Sequence, residues 1–232
     1  MDDTILAYDS VADPVWEAVC RANAPALNVD AEDLYRALRR CNDDYWRDAE
    51  RYRWGRLHLD DARTEIVRQA LDDLGIVATP RVVRLAREIG VAFNRGRNEG
   101  MFPFPGAIEA LHLFRRREVR LGLVTNGASA NQRRKIDRFG LEPLFDCIVI
   151  EGEYGAGKPD GRIFFHALEQ LDAGPDDAWM VGDDLACDIA GAQGAGILAV
   201  WVDVRGCGVP RECAVRPDRV VRGLAELVDD ER

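Results

Sequence analysis

Side chains that could transfer a phosphoryl group stand in four short clusters of this chain. A carboxylate can attack phosphorus and form an acyl phosphate, and a second carboxylate can protonate the leaving oxygen and then activate water. Lysine, hydroxyl and amide groups can hold and neutralise the phosphoryl oxygens. The side chains with these chemistries are Asp2 and Thr4, Thr125 and Asn126, Lys158, and Asp183 with Asp188.

Apolar runs with the length of a β-strand precede polar turns throughout the second half of the chain. The runs are residues 121–124, 147–150, 179–181 and 197–202. Helical patterns separate them at about 106–117, 130–139, 161–171 and 185–194. This alternation predicts βαβ units and a parallel, Rossmann-like sheet. Because ligand sites in such sheets form at the carboxyl ends of the strands, the clusters should lie near one another.

The first half of the chain has helical periodicity and hardly any strand signal. One apolar stripe follows Asp30, a residue suited to cap a helix, and consists of Leu34, Leu38, Cys41 and Tyr45. Two further stripes are Val67, Ala70, Leu71 and Leu74, and Val83, Ala86, Ile89 and Phe93. We therefore expect an α/β core made of residues 1–8 and 101–232, with an all-helical block of residues 9–100 inserted into it.

The net charge and the hydropathy of the chain disfavour nucleic acid and membrane as partners. The formal net charge of −10 disfavours nucleic-acid binding, which depends on neutralising phosphates with Lys and Arg. No apolar run approaches the roughly 20 residues that span a bilayer, and the acidic start of the chain is unlike a secretory signal. We expect a cytoplasmic protein that contacts neither nucleic acid nor membrane. Its oligomeric state is not encoded in any pattern that we recognise.

The four clusters, in this order, resemble the four motifs of the haloacid dehalogenase superfamily. The matching stretches are Asp2-Asp3-Thr4, Thr125-Asn126-Gly127, Gly157-Lys158-Pro159-Asp160 and Gly182-Asp183-Asp184. Gln132–Ile136 and Gly140–Asp146 sharpen the match towards capped phosphatases that include acylneuraminate-9-phosphate phosphatases and pyrimidine nucleotidases. The resemblance covers essentially the whole chain. It implies a Mg²⁺-dependent phosphatase that acts on a small phosphorylated metabolite.

The resemblance also implies a role for each matched residue. Asp2 corresponds to the acid/base, and its backbone carbonyl would ligate the metal together with the Asp183 carboxylate; oxygen ligands of this kind suit Mg²⁺. Thr125 and Asn126 would hold phosphoryl oxygens, and Lys158 would neutralise their charge. Thr4 corresponds to the threonine of the first motif. Asp188 would orient Lys158 or a metal-bound water.

The nucleophile of the family stands two residues before the acid/base, and the chain begins at Met1, one residue before Asp2. The apolar core strand that should precede it is missing as well. We expect that the start was assigned too late or that the chain is trimmed, and that the chain as written folds poorly or is inactive. Two alternatives are a truncated phosphate-binding pseudoenzyme and a nucleophilic Asp3, although side chains of adjacent residues point in different directions.

Other interpretations are weaker. A metal-free haloacid dehalogenase generally lacks an aspartate at the position of Asp2. The stretch from Gly152 to Lys158 has the beginning of a P-loop, but Pro159 supplies neither the hydroxyl nor the N–H that this motif needs. A cluster of aromatic and basic residues between Tyr45 and Arg56 is expected to pack helices or to contact the leaving group of the substrate.

Overall fold

The computed structural model describes residues 1–228 and divides the chain into two compact units. The first, which we call the α/β unit, consists of Met1–Ala7 and the chain from Phe102 onward. The second, the helical unit, is Tyr8–Met101. No helix of the described residues is long and apolar enough to cross a membrane.

Five helices make up the helical unit. They are α1 (Ala12–Leu27), α2 (Ala31–Arg47), α3 (Ala49–Gly55), α4 (Leu59–Asp73) and α5 (Pro80–Gly100). The start of α2 is fixed by Asp30, whose Oδ1 accepts the backbone N–H of Glu32 at 2.8 Å and that of Asp33 at 3.2 Å. This cap was predicted from the sequence, and it satisfies N–H groups that have no partner within the helix.

The core of the helical unit is formed by the apolar stripes of its helices. Leu34, Leu38, Cys41 and Tyr45 of α2 are all buried, as predicted. The ring of Trp16 in α1 stacks on Phe93 of α5 with 3.7 Å between centroids. The stripe predicted on α5 was wrong at its first member, because Val83 is 45% exposed, whereas Ala86, Ile89 and Phe93 are buried.

The α/β unit begins with a tight turn and a short antiparallel pair of strands. The carbonyl of Met1 accepts the N–H groups of Ile5 at 2.8 Å and Leu6 at 3.1 Å. Strand β1 (Leu6–Ala7) then pairs with β2 (Phe102–Pro103). Two residues per strand are too few for a period-2 pattern, and neither strand was predicted.

Five parallel strands carry the rest of the α/β unit. Strand β3 (Gly122–Thr125) pairs with β4 (Cys147–Ile150), and a separate sheet has the order β5–β6–β7. The bounds of the second sheet are Trp179–Gly182, Leu198–Val202 and Arg219–Val221. The α/β class with a parallel sheet is thereby confirmed. Among residues 1–228 no strand ladder joins the two sheets, and the missing first strand stays a prediction.

The helices of the α/β unit alternate with these strands. They are α6 (Ala107–Arg116), α7 (Ser129–Arg138), α8 (Glu151–Tyr154), α9 (Gly161–Gln170) and α10 (Gly191–Gly194). Residues Leu185–Ala190, directly before α10, form a π-helical segment instead of the α-helix that was predicted. Segments of this kind occur often at functional sites, and this one carries Asp188.

Candidate active site

Asp183 lies just beyond β5 and is bonded to the N-terminal turn of the same unit. The Thr4 hydroxyl donates to Asp183 Oδ1 at 2.8 Å and lies 3.4 Å from the backbone carbonyl oxygen of Asp2. Burial raises the pKa of Asp183 to about 7, and the negative charge of Asp188 also raises it. The carboxylate and the carbonyl that were predicted as metal donors therefore lie on either side of one hydroxyl.

Lys158 and Asp188 form a buried ion pair. Lys158 Nζ lies 2.6 Å from Asp188 Oδ1 and also donates to the backbone carbonyl of Val124 at 3.1 Å. Burial acts to lower the pKa of Lys158, but the charge of Asp188 raises it above its ordinary value, so the ammonium is positive at neutral pH. A positive charge is thus fixed at the carboxyl end of β3, beside Thr125.

Thr125 is the last residue of β3, and its hydroxyl is held by a helix side chain. Gln132 Nε2, on α7, donates to Thr125 Oγ1 at 2.6 Å, and both residues are buried. Since Oγ1 accepts this bond, the hydroxyl hydrogen is left to donate to another acceptor. A phosphoryl oxygen is an acceptor of that kind.

Asn126 uses both polar atoms of its side chain to hold the backbone of Lys158. Its Nδ2 donates to the Lys158 carbonyl at 2.8 Å, and its Oδ1 accepts the Lys158 N–H at 2.7 Å. The next residue, Gly127, donates its N–H to Glu151 Oε2 at 2.8 Å. These bonds fix the turn after β3 against the segment that carries the lysine.

The carboxylate of Asp2 pairs with a lysine that we did not select from the sequence. Lys135 Nζ, on α7, lies 2.5 Å from Asp2 Oδ2, and Lys135 is only 5% exposed. Lys135 and Gln132 are three positions apart and therefore share one face of the helix. The signal in the sequence was two polar residues at that spacing, but their burial depends on tertiary packing.

The pKa of the Met1 α-amino group responds to residues of several predicted clusters. Burial and then the positive charge of Lys158 lower the pKa of this amine, while Asp2, Asp188 and Asp183 raise it. Charges from three of the four clusters thus influence this one buried amine. The fourth is joined to it by the bond between Lys158 and the Val124 carbonyl, next to Thr125. The structure therefore brings the predicted site residues together.

The aromatic and basic cluster lies entirely in the helical unit. Tyr45 and Trp46 pack edge to face with centroids 5.1 Å apart, and the guanidinium of Arg51 lies 5.6 Å from the Tyr45 ring. The sequence did not single out Arg63, which is 3% exposed and bonds Asn42. Burial and the charge of Arg97 lower the pKa of Arg63 to about 9.

Among residues 1–228 there is no group of three or more His, Cys, Asp or Glu side chains placed to hold a metal ion. The oxygen donors at hand are the Asp183 carboxylate and the Asp2 carbonyl. Mg²⁺ binds through one or two carboxylates and keeps several of its waters, so this small set of hard oxygen donors fits it. Three histidines are present in the chain, and none is among these donors.

Comparison with known proteins identifies the family. A family model described as haloacid dehalogenase-like hydrolase matches residues 1–196. A phosphoserine phosphatase from Thermus thermophilus is 40% identical over 166 residues, which are 71% of this chain and 63% of that protein. An N-acylneuraminate-9-phosphatase from Rattus norvegicus is 42% identical over 113 residues, 48% of this chain and 45% of that protein. The matched regions thus span less than two thirds of either relative.

A solved structure agrees at the level of the fold. The hydrolase YfnB from Bacillus subtilis, described as bound to magnesium, superposes with a TM-score of 0.74 at 24% identity. The match covers 98% of this chain and 93% of that one. The resemblance stated from four short motifs is confirmed by the family model and by both relatives. The chain belongs to the haloacid dehalogenase-like hydrolase family.

Proposed function

We propose that this protein is a Mg²⁺-dependent phosphatase that hydrolyses a small phosphomonoester through an aspartyl-phosphate intermediate. The observation that carries the proposal is the set of contacts that joins the predicted residues within the α/β unit. The Thr4 hydroxyl bonds Asp183 and lies 3.4 Å from the Asp2 carbonyl, and Lys158 forms a buried ion pair with Asp188. A negatively charged phosphoryl group bound there would lie beside a fixed ammonium and a hydroxyl with a hydrogen to donate. Both relatives described above are named as phosphatases, which supports the same chemistry.

Each proposed role follows from the contacts of the side chain. Lys158 neutralises charge on the phosphoryl oxygens, because Asp188 holds its ammonium in place at 2.6 Å. Thr125 donates its hydroxyl hydrogen to a phosphoryl oxygen. The side chain of Asn126 is engaged with Lys158, so Asn126 would bind phosphate through its backbone N–H. Asp2 protonates the leaving oxygen and later activates water.

Asp183 and the Asp2 carbonyl would hold Mg²⁺, with Thr4 keeping Asp183 in position through its 2.8 Å bond. When bound, the ion would add positive charge beside the phosphoryl group. A bound cation would favour the charged form of Asp183, which burial and the negative charge of Asp188 disfavour.

In the motif that Asp2 matches, the attacking carboxylate stands two positions earlier, and in this numbering that position would directly precede Met1. A strand that carried it would come directly before Met1. Among residues 1–228 no strand pairing joins β3–β4 to β5–β6–β7, which supports a place for such a strand in the sheet. We define the extended chain as residues 1–232 preceded by an apolar strand whose last residue, directly before Met1, is Asp.

Hydrolysis of p-nitrophenyl phosphate by the extended chain, with and without Mg²⁺, tests the proposal. We expect turnover that requires Mg²⁺ and that falls by at least about 100-fold in Asp183→Asn, the size of effect seen when one charged group that stabilises a transition state is removed. Asp172→Asn is a matched control, because the Asp172 side chain is fully exposed and belongs to none of the four clusters.

Two outcomes would reject a phosphatase, and a third would reject its proposed metal ligand. Release of halide from a 2-haloacid without metal would identify a dehalogenase. If neither ester nor haloacid is turned over while inorganic phosphate still binds, the protein is a phosphate-binding module instead. Equal activity of Asp183→Asn and the parent would remove the proposed metal ligand.

A further inference from the structure

Helix α7 buries two polar side chains and only one large apolar one. Its buried residues are Gln132, Lys135 and Ile136, whereas Arg134, Asp137 and Arg138 are exposed. Core positions of a helix that only packs against a sheet are normally apolar. The two buried polar residues of α7 both end on groups of the candidate site, since Gln132 bonds Thr125 and Lys135 pairs with Asp2.

Stability alone does not account for the ion pair between Lys135 and Asp2. Taking a lysine out of water costs several kcal/mol, and a buried ion pair is often no more stabilising than an apolar pair of the same volume. Lys135 is 5% exposed, so this desolvation applies to it. An apolar pair in place of both side chains would fill the same space without that cost. The contact therefore calls for a reason other than stability.

The geometry assigns such a reason. We propose that Lys135 is a positioning residue that orients the carboxylate of Asp2 for proton transfer to the leaving oxygen, an inference that rests on the proposed phosphatase function. Lys135 Nζ engages Oδ2 at 2.5 Å, so Oδ1 is the oxygen that carries the proton. As the bond from phosphorus to the leaving oxygen breaks, the proton moves from Asp2 Oδ1 to that oxygen while the nucleophile bonds to phosphorus.

Gln132 contributes to the same arrangement from the preceding turn of α7. It bonds Thr125 Oγ1 at 2.6 Å and thereby directs the hydroxyl hydrogen away from itself. One face of α7 thus sets both the acid and a phosphate-binding hydroxyl. Since both side chains leave one rigid helix, the distance between the acid and the bound phosphoryl group is fixed by α7.

The leaving group of the substrate separates this role from a structural one. An alkoxide leaving group needs the proton from Asp2, whereas p-nitrophenolate departs without one. Because kcat/KM reports the steps up to the loss of the leaving group, we compare kcat/KM for glycerol 1-phosphate and p-nitrophenyl phosphate in the extended chain. In Lys135→Met, we expect a loss of about 100-fold for glycerol 1-phosphate, within the range that general acid catalysis contributes, and of less than about tenfold for p-nitrophenyl phosphate, whose cleavage does not use the acid.

Three controls accompany this variant. Arg134→Met removes an exposed charge from the same helix and should leave both substrates unaffected. Lys135→Arg retains the cation and should restore most of the activity on glycerol 1-phosphate. In an Asp2→Asn background, where no carboxylate is left to orient, Lys135→Met should cause no further loss, and this double-variant comparison also applies if the single variant is less stable.

The measurements distinguish a failure of the role proposed for Lys135 from a failure of the proposed phosphatase function. Equal losses on both substrates, or additive losses with Asp2→Asn, would mean that Lys135 supports the structure only, and the inference would be wrong. If the parent hydrolyses neither ester, the proposed function fails and the inference fails with it. A parent active on both, with a loss confined to glycerol 1-phosphate, supports both.

Discussion

Lys158 and Asp188 are both buried, and the charge of each stabilises the charged form of the other. Burial alone would raise the pKa of Asp188, but the ammonium of Lys158 at 2.6 Å lowers it below its ordinary value. Asp188 also accepts the backbone N–H of Asp184 at 3.1 Å. The pair therefore couples the lysine cluster to the turn after β5, where Asp183 lies.

Removal of both partners of this pair should destabilise the protein by less than the sum of the two separate removals. We expect Lys158→Met to lower the free energy of unfolding by about 3–5 kcal/mol, since it leaves a buried carboxylate without its cation. The double variant Lys158→Met with Asp188→Asn should lose clearly less than the sum of the two single losses. Urea unfolding of the four proteins measures this, and strictly additive losses would show that the two charges do not depend on each other.

Site residues at the ends of strands could be identified from the sequence, whereas the helix residues that bond them could not. Thr125 and Asp183 were found because a polar turn after an apolar run marks the end of a strand. Lys135 and Gln132 lie in a charged helical stretch in which most of the other side chains are exposed or half-buried. Which face of such a helix is buried is decided by packing against the rest of the unit, and an apolar stripe gives no guidance when the buried residues are themselves polar.

At the level of elements, the turns that follow β3 and β4 are in direct backbone contact. The N–H of Gly152, at the start of α8, bonds the Gly127 carbonyl at 3.0 Å. A Cβ at Gly152 would lie 2.7 Å from the backbone nitrogen of Ser129 and 3.0 Å from the Gly127 oxygen. This approach explains a glycine that, in the sequence, belonged to the rejected P-loop pattern.

Gly152→Ala should therefore separate the two turns. We expect a decrease in the free energy of unfolding of about 1–3 kcal/mol, the usual cost of overpacking against atoms that cannot move. Gly194→Ala in α10 is the matched control, because nothing lies within 4 Å of its Cβ and alanine favours a helix. Equal midpoints of thermal unfolding for Gly152→Ala and the parent would contradict the close contact.

Long elements were predictable and short ones were not. The bounds predicted for β4 agree with the structure, and those for β3, β5 and β6 differ by a single residue at one or both ends. Strands β1, β2 and β7 were missed because two or three residues carry too little alternation to distinguish them from a loop. The π-helical segment at Leu185–Ala190 has the same apolar content as an α-helix. Its wider turn could therefore not be predicted from the sequence.

At the scale of the whole molecule, the α/β unit contains every predicted site residue. They come from the N-terminal turn, the ends of β3 and β5, the segment after α8, and the π-helical segment Leu185–Ala190. The most distant two, Asp2 and Asp188, are 186 positions apart in the chain. The helical unit contributes none of the four motifs. It holds instead the buried Arg63 and the cluster of aromatic and basic residues, whose contact with a leaving group stays a prediction.

The central proposal is that these residues serve an aspartyl-phosphate reaction, with the attacking aspartate at the position that would precede Met1. The most direct measurement is to trap the intermediate in the extended chain that carries Asp2→Asn, since loss of the base should slow its hydrolysis. After incubation with radiolabelled p-nitrophenyl phosphate and Mg²⁺, we expect labelled protein that releases its phosphate with hydroxylamine, with the label on the aspartate before Met1. Turnover of the parent without any labelled protein in this variant, or label on a different residue, would contradict the account.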